Sequence, residues 1–253
     1  MLAVEERTSK IQTRISRRKS DFYAIVKKMP ENMDLTFGNA TWDDYETLLK
    51  EVGEASHLRI SYNAGNLQIM TLSSLHENYS ALVQDIIRQI SLQKRIKVLC
   101  YKSSTIKVSK DLKGIEPDGC FYVQSADKLP NKLRIDFSTD PMPDIVLEID
   151  IYHDSKSKFE IYASFGVREI WRYDGKNFEI YELQKNAEYK KIKRSKSLPI
   201  LTAETLSSLL NQSNEKDQYE ILLDFEEWLQ QQSYLSAGQK RRLETSAKFY
   251  LSE

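Results

Sequence analysis

Residues 114–123, GIEPDGCFYV, and residues 141–150, PMPDIVLEID, repeat one design, a Pro-Asp step that leads into an apolar run. The second copy continues through residues 151–171, IYHDSKSKFEIYASFGVREIW, where an apolar strand pattern gives way to a charged helical one. If both copies are strands, alternation sends Asp144, Val146, Glu148 and Asp150 to one face and Ile145, Leu147 and Ile149 to the other. A row of carboxylates beside a hydrophobic core is costly to desolvate. Glu148 and Asp150 are therefore expected at a wet cleft, on a bound cation, or along a solvated edge.

The turn at IYHDS leads into a predicted helix on which Asp154 and Lys158 are four residues apart, and which carries Ile161, Tyr162 and Phe165 toward the sheet before stopping near Gly166. Lys158 would then stand above the strand carboxylates. Carboxylates with a nearby lysine suit metal-assisted phosphodiester hydrolysis, in which the cation activates water and the ammonium opposes developing negative charge. An ordinary edge strand with surface charges fits the same residues, because Pro-Asp and Glu-x-Asp are short patterns.

Four blocks in order, 67–90 (LQIMTLSSLHENYSALVQDIIRQI), EPDGCFYV, PDIVLEI and 154–183 (DSKSKFEIYASFGVREIWRYDGKNFEIYEL), resemble the widespread restriction endonuclease family of the PD-(D/E)xK nuclease superfamily, over about residues 40 to 200. The resemblance implies an α/β, restriction-endonuclease-like mixed sheet flanked by helices and a magnesium-dependent cut in DNA. It assigns Glu77, Asp118, Glu148 and Lys158 as catalytic residues, the first three also holding Mg2+. In that family the usual lysine two residues beyond the strand glutamate is displaced onto the following helix, which brings it to Lys158; here Asp150 stands at the usual position. The family's longer Ser-Pro-Ser loop is replaced by only Ile149 through His153 between Glu148 and Asp154.

The 253 residues allow one substantial core without disulfide support. Three segments are expected: 1–39, a basic N-terminal arm and early packing segment; 40–205, the nuclease core; and 206–253, a helical appendage. Formal net charge is zero, so attraction to DNA has to come from a local patch. Arg7, Lys10, Arg14, Arg17, Arg18, Lys19, Lys27 and Lys28 offer one, as either a phosphate-binding arm or a solvated leader. Lys185, Lys190, Lys191, Lys193, Arg194 and Lys196 offer another, with an ordinary charged strand as the equal alternative. Cys100 and Cys120 lack metal spacing and read as buried free thiols. No run is long and apolar enough for a membrane span, and a cytoplasmic protein is expected.

Along the remaining chain, TWDDYETLLKEV predicts a helix capped by Thr41 and Asp44, with an outward Glu46–Lys50 pair. Strands at 57–62 and 66–71 are expected to turn through Asn63-Ala64-Gly65. A helix from Ser74 or Leu75 to Ser91 is expected to bury Leu75, Leu82, Val83, Ile86, Ile87 and Ile90, with His76 and Glu77 at its start. Strands at 96–102 and 116–123 follow, with a short one within STIKV. Pro117-Asp118 either begins the latter strand or supplies a ligand, Glu116 is an outer candidate, and Asp144 is left out of the catalytic set. Residues 167–201 read as a meander. Ile221, Leu222, Phe225, Trp228 and Leu229 form a helical stripe that packs on the domain or joins two copies in a homodimer.

Overall fold

The computed structural model describes residues 22–53, 57–129, 132–152 and 154–232. The basic residues before Phe22, His153 and the part of the expected appendage after Gln232 lie outside them. The chain opens with α1 (Phe22–Val26), β1 (Asp34–Phe37), α2 (Trp42–Val52), β2 (Leu58–Asn63), β3 (Asn66–Thr71) and α3 (Ser74–Lys94). It continues with β4 (Leu99–Cys100), β5 (Ile106–Val108), β6 (Lys113–Ile115), β7 (Gly119–Tyr122), β8 (Ile145–Ile149) and α4 (Phe159–Phe165). It closes with β9 (Glu169–Tyr173), β10 (Phe178–Leu183), β11 (Tyr189–Ile192), α5 (Ala203–Asn211) and α6 (218–232).

The strands form two sheets, in the orders β1-β3-β2-β6-β5 and β11-β10-β9-β8-β7-β4. The first is antiparallel and built on the β2–β3 hairpin, whose turn places Ala64 at φ 46° and Gly65 at φ 91°. Both positive angles match the right-handed strand twist that a two-residue hairpin needs. Helix α2 covers this sheet with Tyr45 and Leu48, and begins with a complete Thr41–Asp44 capping box. The expected Glu46–Lys50 pair does not form; Glu46 instead accepts from Lys107 of β5 at 2.9 Å, a link that ties α2 to the far edge of its sheet.

The second sheet is mixed, because β8 and β9 run parallel, joined by the α4 crossover. Alternation along β8 sorts its two faces as the sequence implies. Ile145, Leu147 and Ile149 join α3, α5 and α6 in the main core, whereas Val146 packs with Ile161, Tyr162 and Phe165 around α4. Strand β8 is interior to its sheet, so the solvated-edge reading of its carboxylates is overturned; Asp144, Glu148 and Asp150 are all buried. Asp144 is satisfied structurally, accepting from the backbone of Val123 and Ser125 at 2.8 Å each.

Three other expectations change. The strand expected at 116–123 shortens to 119–122 in the second sheet, and Pro117 separates it from residues 113–115, which pair in the first, because proline has no N–H for a continuing ladder. The strand expected at 96–102 narrows to Leu99–Cys100, which pairs with β7 alone at the sheet edge. Helix α3 runs three residues further than Ser91, and Leu75 in its first turn is exposed, since the core begins to cover the helix only at His76 and Tyr79. Cys100 and Cys120 are both free thiols. No helix among the described residues is long and apolar enough to cross a membrane.

Candidate active site

The Pro117 break puts Asp118 at the seam where the chain leaves one sheet and joins the other. Its backbone N–H donates to Leu147 O at 2.9 Å, and one further step of the β7–β8 register sets it opposite Glu148. Its side chain is nearly saturated. Oδ1 accepts from Arg59 Nε at 2.8 Å, and Oδ2 accepts from the backbone N–H of Ile149 at 2.8 Å. His76 Nε2 also stands 2.9 Å from Oδ2, although neither ring nitrogen has a partner of hydrogen-bonding angle. We read that contact as electrostatic. Burial alone would raise the Asp118 carboxyl; His76, Arg59 and Lys158 outweigh it and hold the group well below the usual carboxylate range.

Glu148 meets a different environment on the α4 side of β8. Oε2 accepts from Lys158 Nζ at 2.8 Å, and Oε1 accepts from the Tyr162 hydroxyl. Burial pushes its carboxyl up to about 7, the repulsion of Asp118 and Asp150 adding to burial and the Lys158 charge opposing it. Lys158 is itself buried; burial disfavours its charge, but Glu148 and Asp118 raise its pKa above the ordinary lysine value. Two adjacent carboxylates are thus pushed in opposite directions, the pattern that marks groups with different chemical tasks.

Lys158 reaches this position by a route the helical spacing does not give. Residues Ser155–Lys158 form a 3-10 turn capped by Asp154, whose Oδ1 accepts from Lys156 N–H at 2.9 Å, and α4 begins only at Phe159. Asp154 and Lys158 are therefore not a four-residue helical pair. The cap aims Asp154 at the backbone while Lys158 turns inward. Lys156, two residues earlier, is exposed.

Glu77 lies in the first turn of α3, where the helix dipole favours an acid. Its side chain is 49% exposed, and Oε1 is 3.4 Å from Arg59 Nη2 and 3.8 Å from His76 Nδ1. Ser80, on the same helix, donates to Asp118 O at 3.1 Å and locks α3 against the seam. The structure thus gathers Asp118, Glu148 and Lys158 directly, and connects Glu77 to Asp118 through Arg59. Glu116 performs a structural task, accepting from Ile60 N–H at 2.9 Å and from the Thr105 hydroxyl at 2.6 Å.

Arg59, Tyr162 and Arg172 were not singled out from the sequence as site residues. Arg59 sits in an alternating strand, where a lone arginine reads as solvent-facing, and its partner Asp118 is 59 positions away. Tyr162 was recognisable only as an apolar helix position. Arg172 lies opposite Glu148 in the β8–β9 register, and that register is not encoded by any local pattern.

The donor chemistry fits a hard divalent cation, since Asp118, Glu148 and Glu77 offer only carboxylate oxygens. Among the described residues, however, no three His, Cys, Asp or Glu side chains converge as a ready ligand set. The reason is visible in the contacts: Arg59 and Lys158 already supply positive charge to Asp118 and Glu148. A cation would share these carboxylates with the resident side chains or displace them.

No curated protein matches the chain. Among solved structures, 68% of the chain aligns with 99% of a "putative nuclease" from Anabaena variabilis, at 16% identity and a TM-score of 0.47. The type IIG restriction endonuclease BpuSI aligns over 55% of this chain and 16% of its own, at 8% identity and a TM-score of 0.31. The family comparison is the informative one, because the Uma2 family, "Putative restriction endonuclease", matches residues 42–213, which run from α2 beyond α5 and include every site residue described above. With well over half of its length matched, the chain belongs to the Uma2 restriction endonuclease family.

Proposed function

We propose that this protein is a magnesium-dependent endonuclease that hydrolyses phosphodiester bonds in DNA, with Asp118 and Glu148 as the paired carboxylates that hold the ion. Glu77 is the third carboxylate, at the exposed side, and Lys158 is the catalytic cation. The observation that carries this reading is the 2.8 Å contact of Lys158 Nζ with Glu148 beside Asp118, made despite the shortened connection. When bound, magnesium supplies a Lewis acid and a water of lowered pKa. The chain's own residues supply orientation and charge. Asp118 is kept ionised and held by Arg59, so one ligand position is fixed before any cation arrives. Tyr162 and Lys158 fix both oxygens of Glu148. The Lys158 ammonium faces the same region and opposes negative charge as it grows on a phosphate.

Exposed Lys185, Lys190, Lys193 and Lys196 lie on or beside the edge strand β11 and support contact with a phosphate backbone. A second reading is a nucleic-acid-binding protein without turnover, favoured by the internal cations that already satisfy both carboxylates. Supercoiled plasmid with magnesium separates the two. Nicking by the wild type that disappears in Asp118→Ala and Glu148→Ala supports the enzyme. DNA retention without magnesium, and no nicking at any protein concentration, supports the rival. Linear product formed directly from supercoiled DNA would report two copies acting on opposite strands, whereas open circles alone fit a monomer.

A further inference from the structure

Asp150 and Arg172 form a buried ion pair that takes no direct part in the proposed chemistry. Asp150 follows Glu148 by two positions, Arg172 sits across from Glu148 on β9, and the Arg172 Nε donates to Asp150 Oδ2. Replacing such a pair by packed apolar groups is often neutral or stabilising, so its contribution to stability alone does not account for it. Its geometry does. Asp150 Oδ2 also accepts from Ser155 N–H at 2.8 Å and Ser155 Oγ at 2.9 Å, which draws the two ends of the turn after β8 together. Arg172 reaches the far end of the same turn, with Nη2 3.6 Å from Asp154 Oδ1, while Nη1 donates to Glu179 Oε2 at 2.9 Å. Glu179 is held in turn by Lys191 at 2.7 Å and by the Tyr181 hydroxyl at 2.7 Å. One guanidinium thus grips both ends of the turn and is itself anchored to the rigid β9–β10–β11 meander.

Ser155, the residue that Asp150 holds, opens the 3-10 turn that ends at Lys158. We propose that Arg172 is a positioning residue which, through Asp150 and Asp154, fixes the short connection after β8 so that the Lys158 ammonium meets Glu148. Its effect on cleavage rests on the nuclease reading, but its effect on the turn does not. A lysine in place of Arg172 keeps the charge and lacks the planar fork that addresses three carboxylates at once.

Two readouts on the full chain test this. In amide hydrogen exchange, Arg172→Met should lose protection in residues 154–158 while α3 and β7 keep theirs; unchanged protection at 154–158, or a loss spread evenly over the protein, overturns the proposal. In single-turnover nicking, Arg172→Met should lower the rate on the order of 100-fold, as expected for a displaced catalytic group, with half-saturation by DNA unchanged. The Arg172→Met/Lys158→Ala double variant should be no slower than Lys158→Ala alone, whereas multiplied losses would mean that Arg172 acts independently of Lys158. Arg172→Lys should not restore the rate, and full restoration counts against the fork geometry. If Arg172→Met does not fold, Asp150→Asn, which keeps the volume and one acceptor, is put through the same exchange and double-variant measurements. A wild type that never nicks removes the nuclease reading and leaves the exchange result to decide the proposal.

Discussion

At the scale of single residues, the site is organised by two carboxylates whose proton affinities diverge. Glu148 binds its proton more tightly in the folded protein, at about 7 against 4.5 for a free side chain. Its contribution to stability is therefore complete below pH 4.5 and declines as pH rises through about 7. Buried Asp150 and Glu116 are raised in the same direction, so the metal-free protein should lose urea resistance between about pH 5 and 8, and Glu148→Gln should remove part of that slope. A slope identical to the wild type's would contradict the assignment. Magnesium needs the ionised carboxylate, so its affinity, read by calorimetry, should rise about tenfold per pH unit below 7 and level off above it. Arg59 is the opposite case. Arg59→Met leaves Asp118 without its buried guanidinium partner and should cost about 3–5 kcal/mol of stability, yet magnesium added at pH 8 should recover more stability in the variant than in the wild type. Equal recovery would show that Arg59 and the cation do not compete. The family resemblance, not spacing alone, put Asp118, Glu148 and Lys158 together as candidates, since the Pro-Asp step also marks Asp144 and the helical spacing misplaces Lys158. Arg59 and Arg172 stayed hidden because their meaning depends on which strands become neighbours.

Elements were legible where their instructions are local. The Thr41–Asp44 box and the Asn63–Asn66 turn carry their own geometry in adjacent side chains and backbone angles, and both form where expected. The strand expected at 116–123 begins only at Gly119, because alternation continues through Pro117 while the hydrogen-bond ladder does not. The helix expected from Asp154 begins as a 3-10 turn because Asp150 and Asp154 bind its first N–H groups from outside the helix. Strand β6 is fixed by a contact that no local pattern announces: a Cβ added to Gly114 would lie 2.1 Å from Tyr45 Oη and 2.5 Å from Tyr45 Cζ. Tyr45 cannot yield easily, being fully buried in a cluster of three rings, stacked against Tyr62 with Trp42 in contact with both. Gly114→Ala should therefore cost about 1–3 kcal/mol through overpacking, read as a lower urea midpoint. An unchanged midpoint would mean that β6 moves away from α2 freely, which its position between β2 and β5 argues against.

For the whole molecule, the main core and the candidate site lie on opposite faces of the second sheet. The stripe read from the sequence as either an intramolecular or a dimer face is engaged within the chain: Ile221, Phe225 and Leu229 are fully buried with Trp171, Tyr173 and the apolar side of α3. Helix α3 is further tied to α6 through Gln89 and Lys94, which donate to Leu222 O at 3.2 Å and Leu229 O at 2.9 Å. Periodicity could define that stripe but not its partner, because any apolar surface of suitable shape satisfies the same pattern. Glu148, Lys158 and Tyr162 occupy the opposite face of β8, under α4. Phe225→Ala should consequently cost about 3–5 kcal/mol, the range for truncating a fully buried aromatic side chain, and lower the urea midpoint accordingly. At a temperature where the variant remains folded, its single-turnover nicking rate per folded molecule should stay within about twofold of wild type, since no catalytic side chain loses a partner. The informative comparison is with Lys158→Ala, where cleavage should fall far more. A Phe225→Ala protein that is fully folded but cleaves as poorly as Lys158→Ala would mean that α6, acting through α3, controls the seam at Asp118, and the two faces of the sheet would have to be treated as one coupled unit.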